Sequence, residues 1–383
     1  MADKLVRHQA ALSLRTSAGL ALGVALVLGS FAALTTHGAL LTAKLLWAIA
    51  IGTMAYRVFV TGRVGRWRST FFMILAFAFI VHFKSRLIGL TGSAFIASDA
   101  QEVPFCHIAI ASSFLNHVYQ QYLAWMSGAW RQWSPLTWGA LWLGITLALG
   151  QAWCSWACFY GGLDSCFARL ARTPRIVWNH LPKGVRDLPA AILIAMMLLS
   201  LVALKPIFCL WACPLKLGTG FLDPNQLARQ LQLASFATIG VVFLIALPWL
   251  TKKRTFCTLI CPFGAWQAFF GRVNPYRVTI TPERCIQCQL CIKACPTFAI
   301  DHEGLKGHQV SAYCNRCGEC MDVCPTGAID YTLAGKSRTL LPPGASRILF
   351  LLSAWLVAGS VSMLFVPDVM VTLWRWGSAW SAR

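Results

Sequence analysis

Long apolar runs separated by short basic stretches dominate this chain. The runs cover residues 17–35, 39–58, 69–83, 136–153, 189–208, 231–250 and 348–365. A helix needs about 20 apolar residues to cross the roughly 30 Å hydrocarbon core of a bilayer, so the pattern predicts about seven membrane-spanning helices. The third run is short: Arg68 and Lys84 leave only about fifteen residues between them, which suits a tilted or re-entrant segment. The expected fold is a polytopic α-helical membrane protein with an inserted α+β domain. Its expected parts are N-terminal spans (1–83), an outer loop (84–135), a membrane core (136–262), an inserted domain (263–341), and a last span with an aromatic tail (342–383).

Composition agrees with lipid as the main solvent, since 57% of residues are hydrophobic and only 12% are charged. A net charge of +20 raises the question of nucleic acid, but the Lys and Arg residues are strung between apolar runs and no nucleic-acid-binding module is visible. Topology and anionic lipid account for them better. The N-terminus (Lys4, Arg7, Arg15) and residues 57–68, 169–186 and 252–254 would share one side of the membrane, and they hold fifteen of the 33 Lys and Arg. The positive-inside rule therefore places the N-terminus and the inserted domain in the cytoplasm of a bacterial cell, with the protein multi-pass in the inner membrane. The C-terminus falls outside, where Trp374, Trp376 and Trp380 read as an aromatic anchor. A basic start before an apolar run is also how a signal peptide begins, but a second run follows at once and a retained first span is expected.

Most of the sixteen cysteines are clustered too tightly for a disulfide framework and read as metal ligands. Cys285, Cys288, Cys291 and Cys295-Pro296 have the spacing C-x2-C-x2-C-x3-C-P, and Cys314, Cys317, Cys320 and Cys324-Pro325 repeat it 29 residues later. The segments after each, Pro-Thr-Phe-Ala-Ile-Asp and Pro-Thr-Gly-Ala-Ile-Asp, repeat as well, which marks an internal duplication. Three closely spaced thiolates wrap one [4Fe-4S] cube, and the fourth, followed by proline, reaches the other cube. The expected ligand sets are Cys285, Cys288, Cys291 and Cys324 for cluster one, and Cys314, Cys317, Cys320 and Cys295 for cluster two. Zinc also uses C-x2-C pairs but has no use for the x3-C-P extension.

Three further pairs have the spacing C-x3-C at the ends of apolar runs: Cys154 with Cys158, Cys209 with Cys213, and Cys257 with Cys261. On a helix, positions i and i+4 share a face, so each pair can offer two thiolates to an additional metal or cluster. The span count places Cys154, Cys158, Cys257 and Cys261 on the inner side. Cys209 and Cys213 fall on the outer side together with Cys106 and His107, which makes these four candidates for an extracytoplasmic metal site. A Cys209–Cys213 disulfide, or a Cys106 that is only packed, are the alternatives the spacing leaves open.

Residues 281–331 resemble bacterial two-cluster ferredoxins. With the C-x3-C pairs added, residues 136–331 resemble membrane iron–sulfur proteins that join C-x3-C-P motifs after transmembrane helices to a two-cluster ferredoxin domain. That family includes the quinol-oxidising ferredoxin-type subunit of periplasmic nitrate reduction, the membrane half of the nitrous-oxide-reductase accessory regulator, and oxidase-assembly proteins. The resemblance implies two cytoplasmic C-x3-C motifs, matched here by Cys154/Cys158 and Cys257/Cys261. The chain departs from the pattern where Phe159 replaces the first proline, and Cys209/Cys213 is an additional pair. The expectation is a respiratory-chain component relaying single electrons between a quinone pool or cytoplasmic donor and an extracytoplasmic redox protein. Metal handling, in which paired thiolates bind or reduce Cu(I) during metalloenzyme assembly, is the competing expectation.

Overall fold

A computed structural model describes residues 12–87, 107–128, 143–214, 227–333 and 344–381 of this mostly helical chain. Among them, five helices are long and apolar enough to cross a membrane: Leu14–Thr35, Gly38–Thr61, Val64–His82, Gln230–Thr251 and Ala345–Ser362. Each coincides with a run expected from sequence, and the third corrects the expectation. Its helix continues as Val64–Leu87, 24 residues, because Arg68 lies inside the helix with a fully buried side chain and does not mark the membrane edge. Of the fourth expected run, residues 136–142 lie outside the described residues. The fifth run forms a helix, Leu188–Ala203, of only 16 residues. At 1.5 Å per residue it is about 24 Å long, less than the roughly 30 Å core. It stops where Leu204 turns left-handed (φ 52°) just before the Lys205-Pro206 step, since proline disfavours helical backbone in the residue preceding it.

The chain divides into two compact units. The first draws on Met1–Phe83, Ile145–Leu163 and Gly271–Arg383, the second on Lys84–Gly144 and Asp164–Phe270. In the first unit β1 (Tyr276–Ile280) pairs antiparallel with β2 (Ile329–Leu333), with Tyr276 opposite Leu333 and Ile280 opposite Ile329. Tyr276, Val278 and Ile280 are buried while Arg277 and Thr279 are half-buried, the alternation of a strand with one covered face. The cover is the Ala345–Ser362 helix. Its Phe350 ring lies 4.1 Å from Tyr331 and 5.4 Å from Tyr276, and Arg347 donates to the Gly62 carbonyl at 2.6 Å. Further along the same unit Trp156, Trp355 and Phe71 form a fully buried aromatic column, with Trp355 5.3 Å from each of the other two.

The C-terminal residues expected to serve only as an interfacial anchor form a helix, Val366–Ser381. Its first half packs on the Gly38–Thr61 helix and sets Asp368 3.3 Å from His82, while Trp374 and Trp376 stay exposed. In the second unit the Leu188–Ala203 helix is central. His107–Ser112, Phe114–Met126, Ile207–Trp211, Pro262–Phe270 and the turn Phe256–Ile260 all pack against it.

Candidate metal centres

After β1 the chain passes through Cys285 and Cys288 into a one-turn helix, Leu290–Ala294, that carries Cys291 and is capped by Cys295. The helix Glu319–Val323, capped by Cys324, repeats this arrangement 29 residues on. The backbone repeats too: Gln287 and Arg316 (both φ 53°), Gln289 and Gly318 (φ 61° and 81°), and Phe298 and Gly327 (φ 53° and 63°) are left-handed at equivalent positions. The Ala299 amide donates to Cys295 Sγ at 3.2 Å and the Ala328 amide to Cys324 Sγ at 3.3 Å. These turns fold the thiols around two cavities. Cys285, Cys288, Cys291 and Cys324 line one, while Cys295, Cys314, Cys317 and Cys320 line the other.

The donor chemistry fits an iron–sulfur group. Each cavity offers four thiols among apolar side chains, Ile280, Ile286 and Leu305 around the first and Val278 and Ile300 around the second. Burial first, and the neighbouring cysteines after it, push the Cys291 thiol up to about 11 and Cys314 up to about 12. Burial also drives Cys320 well above its ordinary value. Such thiols ionise together only when cationic iron compensates them, so loading releases protons. Among the described residues no three His, Cys, Asp or Glu side chains converge on a single ion.

The three C-x3-C pairs share one construction. In each, a single helical turn carries the first cysteine and ends before the second. Cys154 lies in Trp153–Trp156, Cys209 in Ile207–Trp211, and Cys257 in the π turn Phe256–Ile260. The Cys158 amide donates to Trp153 O and the Cys261 amide to Phe256 O, both at 3.0 Å and both five residues back. The Cys154/Cys158 and Cys257/Cys261 pairs therefore span one widened turn, not the continuous α-helical face expected from spacing. Cys158, Cys209, Cys213 and Cys261 are buried, Cys154 and Cys257 half-buried.

His107 opens a helix, is half-buried, and sets its ring 4.6 Å from Phe263, next to Cys261-Pro262. Burial lowers its pKa to about 4 and keeps the imidazole neutral. The His107–Ser112 helix also packs on the Cys209 helix; Cys106 lies outside the described residues. Sequence reasoning missed Asp164, whose fully buried carboxylate accepts the Cys257 amide at 2.9 Å beside the buried Arg254. Burial raises the Asp164 carboxyl to about 7 in spite of Arg254 and that amide. Arg254 also donates to Ser165 at 3.2 Å. An Arg three residues before a C-x3-C pair, with an acidic residue six after another, was the only signal available.

Comparison with known proteins agrees with this geometry. Residues 277–325 match the 4Fe-4S dicluster domain family. Three further segments, 132–176, 188–219 and 233–277, match a second family, the 4Fe-4S binding domain, and each contains one C-x3-C pair. Fold and site together define a membrane iron–sulfur protein of ferredoxin type. Among individual proteins, it is similar to YccM of Escherichia coli (strain K12), to which an electron transport role is ascribed, with 27% identity over 162 residues, 40% of this chain and 43% of YccM. It is also similar to the regulatory protein NosR of Stutzerimonas stutzeri, with 27% identity over 169 residues, 42% of this chain and 22% of NosR. The chain thus spans less than half the length of the curated relatives it matches. No solved structure matches it.

Proposed function

We propose that this protein relays single electrons between a quinone pool or cytoplasmic donor and an extracytoplasmic redox partner. The observation that carries this reading is the pair of four-thiol cavities in a duplicated unit joined to membrane-spanning helices. Cys285, Cys288, Cys291 and Cys324 hold one [4Fe-4S] cluster, and Cys295, Cys314, Cys317 and Cys320 hold the other. Bound clusters supply reversible one-electron chemistry at potentials set by charge, hydrogen bonds and burial. The chain supplies the rest: thiolates that hold, apolar walls that exclude water, and the Ala299 and Ala328 amides that stabilise negative charge on two ligand sulfurs.

The membrane cysteines extend the path. Matches to a 4Fe-4S binding domain at all three C-x3-C segments favour iron–sulfur groups over Cu(I) at these thiols. Cys154, Cys158, Cys257 and Cys261 serve the inner side, and Cys209 and Cys213, with Cys106, the outer; His107, assigned to the outer set by the span count, stands between the two, its ring 4.6 Å from Phe263 and its helix packed on the Cys209 helix. Support for opposite sides comes from the second unit, where the Phe256–Ile260 turn packs on Lys183–Arg186, just before the Leu188–Ala203 helix, while Ile207–Trp211 follows the far end of that helix. A quinone finds buried hydrogen-bond donors in the same unit, since the Asn116 and Gln267 amides are fully buried and have no partner among the described residues.

Anaerobic purification with iron and acid-labile sulfide analysis and an EPR redox titration tests the proposal. More iron and sulfide than two [4Fe-4S] clusters contain is expected, together with quinol-dependent reduction of the EPR signals. Zinc without labile sulfide would refute it.

A further inference from the structure

The two halves of the duplicated ligand unit have one backbone and opposite surroundings. In the first half Arg284, Gln287, Cys288 and Gln289 are exposed, as are Ile286 (64%) and Leu290 (41%). In the second half the equivalents of the middle of that loop, Asn315, Arg316, Cys317 and Gly318, are all buried. Exposed apolar side chains in one half and a buried arginine in the other invert what composition alone would place.

The second loop is covered by the segment from Leu149 to Trp156 and by the start of the Val64–Leu87 helix. Ser155 Oγ donates to the Asn315 carbonyl at 2.5 Å and Trp156 Nε1 to the Arg316 carbonyl at 3.5 Å. Arg316 in turn donates to Leu149 O at 2.7 Å. Arg68 joins the two pieces, donating to Ser155 O at 2.6 Å and to Glu319 at 3.0 Å, and the Val64 amide donates to Asp322 at 2.9 Å. The fit leaves no slack: a Cβ on Gly318 would meet Val64 at 2.8 Å, and one on Gly150 would meet the Arg316 guanidinium at 2.8 Å.

This contact brings together two sets of thiols. Cys154 is the covalent neighbour of Ser155, and Cys314 of Asn315. With consecutive Cα atoms about 3.8 Å apart, one chain step on each side of the hydrogen bond keeps the two cysteine backbones within about 15 Å, half the hydrocarbon thickness. A duplicated, pseudo-twofold domain has no direction of its own. The one-sided cover gives it one.

We propose that the Cys314–Gly318 loop is the internal port of the ferredoxin domain, facing the Cys154–Cys158 turn, and that the exposed loop around Cys288 is its port to the aqueous phase. Ser155, Trp156 and Arg68 act as positioning residues for the internal port. Arg316, a buried cation beside Cys314, lowers the cost of negative charge on that set of ligands and makes the two sets electronically unequal. This inference rests on the iron–sulfur reading above and adds a polarity to it.

The test uses the full chain in detergent, loaded and reduced with dithionite, and EPR power saturation with and without a dysprosium chelate as an aqueous relaxant. Two reduced signals are expected from the ferredoxin domain, identified by the Cys288→Ser and Cys317→Ser variants, and only one of them is strongly relaxed. Cys288→Ser should abolish or alter the relaxed signal, and Cys317→Ser the protected one. Trp156→Phe keeps the packing but removes the N–H, and Ser155→Ala removes the hydroxyl. Each should shift the midpoint potential of the protected signal and leave the relaxed one in place. Equal relaxation of both signals, or a relaxed signal assigned through Cys317→Ser, would overturn the inference while leaving the iron–sulfur function standing. A protein with neither signal would remove that function and the inference with it.

Discussion

Gly318 and Gln289 occupy equivalent left-handed positions in the two halves of the ligand unit, yet they differ in what a substitution would meet. Gly318→Ala adds backbone strain of about 1 kcal/mol to a Cβ contact at 2.8 Å with Val64, so a marked drop in thermal midpoint and loss of iron from the second thiol set are expected. Gln289→Gly, in an exposed loop, should be neutral or slightly stabilising in the same melting experiment, because it removes strain and strips no packing. Asp164 gives a second contrast. Asp164→Leu strands the buried Arg254 charge and should cost about 3–5 kcal/mol, whereas Asp164→Asn keeps an acceptor for the Cys257 amide and should cost less, as read by thermal unfolding of the detergent-solubilised protein. The cysteines were legible in the sequence because ligand spacing is local. Asp164 was not, because its partner amide lies 93 residues away and nothing near it in the chain announces the contact.

Among whole elements, the charged residues inside apolar runs were the hard ones to read. Arg68 looked like the end of a span because a lone arginine is costly in lipid; tertiary contacts to Glu319 and the Ser155 carbonyl remove that cost and let the helix start at Val64. Arg68→Ala should therefore destabilise the first unit by about 3 kcal/mol and loosen the Glu319–Val323 helix, seen as a lower melting temperature and faster amide exchange there. Conversely, apolar composition overestimated the fifth run, where Leu204 and Pro206 stop the helix in spite of continuing hydrophobicity. The long helices at 14–35, 38–61 and 230–251 were readable to within three residues at each end, since length and hydropathy alone decide them. The π stretch Thr238–Ala246, two residues before Pro248, left no trace in the hydrophobic pattern.

For the molecule as a whole, the sequence reading treated the ferredoxin domain as an insert, separate from the N-terminal spans. Contacts join it with them and with the last long helix in one compact unit. The docking surface for that helix is the two-stranded sheet, through Phe350 on Tyr331 and Tyr276 and Arg347 near Asp330 at 3.8 Å. Two strands of five residues do not hold their shape alone in water, and thiols line the cavities beside them. Limited proteolysis of membranes from iron-starved and iron-replete cells should cut the C-terminal region faster in the starved sample, with the N-terminal helices equally resistant in both. Biogenesis thereby acquires an order: ribosome and insertion machinery can deliver the final helix, but only nutrient supply latches it, so scarcity leaves a loose end for quality control to find.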